Sequence, residues 1–166
     1  MRKTVFLSIV GLFCLVSFAA FAITAPTGDP ILWVSGNITQ TNSDQGAIFD
    51  RAMIDKLEHG SITTNNHVVE DVVEYTGPRL ESLLDYVGAF GDSIKVIAWD
   101  DYIITISRDV IRKYDVLLAT DEAGQRMTID GKGPFFVVFP FADHAELRND
   151  LYYSLSAWQV KEIIVE

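Results

Sequence analysis

In the run Trp99-Asp100-Asp101-Tyr102, two adjacent carboxylates stand between two aromatic rings. A carboxylate placed there can accept hydrogen bonds from the amino and ring N–H groups of a ligand, and the rings can stack on a planar body. Aspartate is also ordinary turn chemistry, so the pair equally fits a hairpin tip. A second cluster lies in DLYYSLSAWQV, residues 150–160, which holds Tyr152, Tyr153, Ser154, Ser156 and Trp158 and no charge between Asp150 and Lys161. Large rings interleaved with hydroxyls suit either a core strand or the wall of a pocket for a flat, uncharged ring.

Other chemistry is missing from the sequence. There is no P-loop, no GxGxxG after a strand and no GxSxG. His59, His67 and His144 are scattered, and no pair has metal-ligand spacing within one element. His59 stands at an expected helix end, where it favours the dipole.

The first residues read as a targeting segment. Arg2 and Lys3 precede an almost wholly apolar stretch, 4–18, and Ala20-Phe21-Ala22 is a small-x-small cleavage site. This predicts a secretory signal peptide over 1–22, with cleavage near Ala22, and a single domain over 23–166. The one cysteine, Cys14, falls in the apolar stretch, so the remainder has no disulfide, no thiolate ligand and no cysteine nucleophile. An exported chain of this kind fits a bacterial periplasm. Residues 1–22 hold two of the 13 basic residues and none of the 23 acids, which leaves a formal charge of −12. Such a surface repels nucleic acid and anionic lipid, and the chain is not expected to be embedded in a membrane.

The elements that must position these residues follow from pattern. Residues 31–37 read as a strand ended by Gly-Asn, and Asp50 caps a helix over 51–58. Residues 61–66 are extended, and 68–75 form a strand. Thr76-Gly77-Pro78-Arg79 opens a helix with proline at its first position; Leu80, Leu83, Leu84 and Val87 make its buried stripe and Gly88 ends it. The runs 94–99 and 102–106 form a hairpin about Asp100-Asp101. Ser107 caps a helix through Lys113. Runs 116–120 and 126–129 flank a second hairpin, 135–139 is a central strand, and Asp143-His144-Ala145-Glu146 is a capping box. Residues 158–165 close the chain as a strand. Together these predict a mixed α+β domain with short helices.

In order along the chain, FDRAMIDKL, YTGPRLESLLDYVGA, DDYIITI, YDVLLATDEAGQRMTIDGKGPFFVVFPF and LYYSLSAWQVKEIIV resemble the small exported proteins of the sulfite-oxidase-type molybdopterin-binding fold. GPRLESLL and DGKGPFFVVFP carry most of that resemblance. It implies an α+β fold of mixed sheets with short helices. The large enzymes of this fold hold molybdenum through a cysteine, and no cysteine follows Cys14 here. They also place an arginine and a lysine before the last strand, where Leu155 and Trp158 stand in this chain. The resemblance therefore implies a ring pocket without phosphate anchors, no molybdenum and no catalysis.

Among the small proteins the sequence is most similar to the PruR-type pterin-binding regulators. This implies a pterin ligand of the neopterin or monapterin type. It also implies a partner, the periplasmic part of a membrane diguanylate cyclase/phosphodiesterase that makes and degrades cyclic di-GMP and so influences biofilm formation. On this view Trp99, Tyr102, Tyr152, Tyr153 and Trp158 sandwich the ring, with Ser154 and Ser156 as polar tips. Asp101 accepts from its amino and N–H groups, and Arg79, Asn66 and His67 meet its carbonyl or hydroxyls. Two alternatives stand beside it: a molybdopterin-dependent oxidoreductase or a subunit of one, and an interaction module with a vestigial pocket.

Overall fold

The computed structural model describes residues 23–166, so the expected signal peptide and Cys14 lie outside the described residues. The first strand, β1 (Pro30–Gly36), pairs antiparallel with β2 (Ala47–Asp50). Asp50 then caps α1 (Arg51–Ile54): its carboxylate accepts from Met53 N at 2.9 Å. The same carboxylate takes the backbone N–H groups of Thr27 and Gly28, at 2.7 and 2.8 Å. This helix is one turn, ending four residues before the expected Glu58, because β3 (His59–Thr64) claims the following chain for a pairing with β4 (Val73–Pro78).

That pairing corrects two expectations. Pro78 is not the first residue of a helix but the last of β4, opposite His59. Val68 to Val72 are not strand: Asn66 Oδ1 accepts from Val68 N and Val69 N and folds the chain into a turn. The helix α2 (Leu80–Tyr86) follows with Leu80, Leu83, Leu84 and Val87 all fully buried, as their spacing predicts, and Gly88 ends it at φ +61°.

β5 (Ser93–Ala98) and β6 (Ile103–Ser107) form the expected hairpin, with alternate residues buried. Ser107 caps α3 (Arg108–Tyr114) by accepting from Val110 N, and Asp115 closes the helix in the left-handed region. β7 (Leu117–Ala119) leads to a tight hairpin of β8 (Asp121–Glu122) and β9 (Gln125–Arg126), shorter than the 116–129 hairpin expected. β10 (Phe136–Val138) is wholly buried but pairs only with β7, so it is not the centre of a large sheet. At 143–146 no side chain caps; a short 3-10 turn, Ala145–Leu147, takes its place.

The largest change concerns DLYYS. It is a helix, α4 (Asp150–Ser154), because Asn149 supplies the cap, its Oδ1 accepting from Leu151 N and Tyr152 N. The closing strand, β11 (Val160–Val165), begins two residues later than expected.

β11 lies at the middle of a five-stranded sheet ordered β2-β1-β11-β5-β6, parallel to β1 and antiparallel to β5. One core cluster joins this sheet to α2 and α3. A smaller one, including Tyr75, Leu117, Met127 and Phe136, lies among the four-stranded sheet β3-β4-β8-β9 and the β10–β7 pair. Among the described residues no helix is long and apolar enough to cross a membrane.

Candidate functional site

Three segments meet at a cleft of about 230 Å³: the β5–β6 turn, the loop after β3, and α4 with its exit toward β11. The turn contributes Asp100 and Tyr102, the loop His67 and Val68, and the α4 segment Tyr153, Ser154, Ser156, Ala157 and Trp158. The loop is held by Asn66, and β11 is anchored by Gln159, whose Nε2 donates to Ile129 O and Gly131 O at 2.7 and 2.9 Å.

The aromatic walls are fixed by packing. Tyr153 packs against His67 and Phe141, with ring centroids 5.0 Å from each. Trp158 rests on Phe136 at 6.4 Å and stays 39% exposed. Tyr102 Oη donates to Ser154 O at 2.9 Å and so clasps the hairpin to α4.

Three of the four hydroxyl groups lining the cleft have their protons committed to the backbone. Ser154 Oγ donates to Leu151 O at 2.7 Å, Ser156 Oγ to Tyr152 O at 3.4 Å, and Tyr102 Oη to Ser154 O. What these groups offer the cleft is lone pairs. Asp100 adds a carboxylate, one oxygen of which also accepts from Tyr102 N at 3.1 Å. None of the nine lining residues is lysine or arginine. The cleft is therefore rich in acceptors and has no fixed cation.

Of the residues singled out from sequence, Tyr102, His67, Tyr153, Ser154, Ser156 and Trp158 come together here. The others do not line the cleft. Asp101 sits at the hairpin tip with φ +64°, the conformation the turn requires, and its neighbour Asp100 faces the cleft instead. Tyr152 turns inward against Tyr114 and Phe139, at 5.8 and 5.9 Å, and burial raises the pKa of its hydroxyl. Trp99 packs edge-on to Trp33 at 6.3 Å, under Lys161. Arg79 pairs with Asp115 and packs on Gly60. Asn66 uses its side chain on its own loop. Val68 and Ala157 were not singled out as ligand contacts, and of the Asp100-Asp101 pair the contact was assigned to Asp101. For Asp100 the signal was present, since an aspartate before a left-handed residue folds its own turn and keeps an oxygen free.

Among the described residues no group of three or more His, Cys, Asp or Glu could hold a metal ion.

No protein-family model and no curated protein matches the sequence. Solved structures do match, among them the sulfane dehydrogenase SoxCD from Paracoccus pantotrophus, at 14% identity and a TM-score of 0.58. The alignment covers 81% of this chain and 37% of that one, so the chain spans just over a third of that protein's length. At this identity the likeness concerns the fold. The chain has a sulfite-oxidase-like α+β fold, with mixed sheets and short helices.

Proposed function

We propose that the cleft binds an unphosphorylated pterin, and that the protein is a non-catalytic periplasmic binding protein. One observation carries the reading: the hydroxyls of Tyr102, Ser154 and Ser156 donate to the backbone and leave their lone pairs to the cleft, beside the carboxylate of Asp100. A pterin brings the complement, an amino group and ring N–H groups on a flat body. Tyr153, His67 and Trp158 supply faces for that body. A volume of about 230 Å³ is below the roughly 300–1,000 Å³ usual for drug-sized ligands, and it suits one fused ring system.

The residues present do not fit molybdopterin. No cysteine follows Cys14 to hold its metal, and no cation lines the cleft to balance its phosphate. The proposed ligand is of the reduced neopterin or monapterin type. The proposed partner is the periplasmic part of a membrane enzyme that makes and degrades cyclic di-GMP. The resemblance of the sequence to PruR-type regulators supports that partner. So does Val68, an exposed apolar residue on the cleft wall, since such groups suit a protein contact.

A thermal-shift series with neopterin, a reduced monapterin and GMP tests the reading. The pterins raise the melting temperature in proportion to the logarithm of their concentration, and GMP does not. No shift with either pterin defeats the proposal. Stoichiometric molybdenum in protein purified from its native periplasm would defeat it as well, in favour of an oxidoreductase.

A further inference from the structure

Away from the cleft, a groove of about 420 Å³ is lined by Arg51, Trp99, Arg126, Met127, Ile129 and Pro134, among others. Its walls are apolar and open: Trp99 and Ile129 are about half exposed, at 48% and 49%. Large side chains left in water around one concavity mark a place where something else covers them.

Its cationic side is unusual for so acidic a protein. Arg51, the first residue of α1, lays its guanidinium over the Phe135 ring, 5.9 Å from the centroid. Its Nη1 is buried and has no hydrogen-bond partner. Buried guanidinium nitrogens are ordinarily satisfied, so an orphan here is the exception. Arg126, the neighbouring cation, is balanced by Asp55 at 3.1 Å and Asp121 at 3.4 Å. Arg51 takes part in none of the ion pairs found among the described residues, although the same two carboxylates attract it at longer range. Burial, and then the charge of Arg126, pull its pKa below the ordinary value, while Asp55 and Asp121 oppose the shift.

We propose that this groove binds a small monocarboxylate with an aromatic or branched apolar body, its carboxylate on Arg51 and its body against Trp99 and Ile129. Rotation about the last side-chain torsions turns the orphan nitrogen into the groove, where a planar carboxylate accepts two parallel N–H bonds. Arg51 and Arg126 together set two positive charges against Asp55 and Asp121, so a singly charged carboxylate brings half the excess negative charge of a dianion. A dianion such as phosphate would meet the carboxylates of Asp55 and Asp121 beside it and the net charge of −10 around it. The site is independent of the pterin cleft and stands or falls separately.

The chain has three tryptophans, Trp33, Trp99 and Trp158, so indole N–H signals in a proton–nitrogen correlation spectrum report the two sites separately. Phenylacetate is the probe, with neutral phenylacetamide and inorganic phosphate as controls. The expected result is a saturable shift of Trp99 with phenylacetate, while Trp158 stays in place. Phenylacetamide and phosphate bind at least tenfold more weakly, and Arg51→Met abolishes the shift. Ile129→Asp keeps Arg51 but puts a carboxylate on the exposed rim, and it weakens phenylacetate at least tenfold. The proposal is overturned if Trp99 does not move, if Trp158 moves in its place, or if either control binds as well as phenylacetate. Unchanged affinity in folded Arg51→Met overturns it too, and should that variant fail to fold, unchanged affinity in Ile129→Asp does so alone.

Discussion

Asp100 and Asp101 are identical in type and adjacent, yet the hairpin gives them different work. Asp101 holds the left-handed backbone of the turn, and Asp100 faces the cleft. Under the pterin reading, Asp100→Asn weakens pterin binding by about 1.5–3 kcal/mol, the worth of a hydrogen bond to a charged group. Asp101→Asn, which also tolerates positive φ, leaves the affinity unchanged. Fluorescence titration of both variants checks this, and equal losses in the two would remove the distinction. Asp50 is the other carboxylate with a defined duty. Backbone N–H groups, that of Gly28 first, hold its pKa below the ordinary 3.8. Because the folded value is the depressed one, the stabilisation is complete above the unfolded pKa and is lost as pH falls through the folded pKa. Asp50→Asn therefore lowers the melting temperature at pH 7, and the gap from the parent narrows below pH 3.8, as scanning calorimetry across that range would reveal.

Among elements, α2 and α3 were legible in advance, one from its leucine stripe and glycine stop, the other from its serine cap. What joins them was not. Arg108 reaches back across the sequence: Nε donates to Glu81 at 2.9 and 3.1 Å, Nη1 to Ala89 O and Nη2 to Asp85, both at 2.7 Å. Arg108→Gln leaves the Ala89 carbonyl without its donor and Glu81 with Arg112 alone, and costs about 1.5–3 kcal/mol in urea unfolding. A loss within error would mean water replaces the guanidinium at no cost. α4 shows why the candidate site was only half legible. Tyrosine, serine and leucine in alternation carry a strand pattern, but Asn149 caps the segment and its period becomes helical. That change turns Tyr152 into the core and Tyr153 into the cleft, a sorting that a strand would also make but for a different set of neighbours. The turn at 66–69 escaped in the same way: valines read as strand, and one asparagine side chain overrides them.

At the scale of the molecule, the alternating strands and the α+β class followed from the sequence, because burying one face of a sheet leaves a period of two that any reader can count. Strand order did not, because nothing local says that the closing strand inserts between the first strand and the β5–β6 hairpin. That position makes Ile163, fully buried on β11, a contact of the whole sheet. Ile163→Ala is expected to cost about 2–5 kcal/mol in urea unfolding, against a total of about 5–15 kcal/mol for an ordinary domain. A loss below 1 kcal/mol, small beside the usual range for such a truncation, would show that the sheet closes without this contact.

The same arrangement governs time as well as strength. β1 with β2, and β5 with β6, are neighbours that can zip up early, but only β11 joins the two ribbons, and its partner β1 lies at the other end of the described chain. Contacts so far apart in sequence form late. Until this six-residue strand arrives, both ribbons offer bare backbone edges to any passing chain. A newly made copy is thus most liable to stick to its neighbours during one wait, and the length of that wait is set by how quickly a single short segment finds its slot.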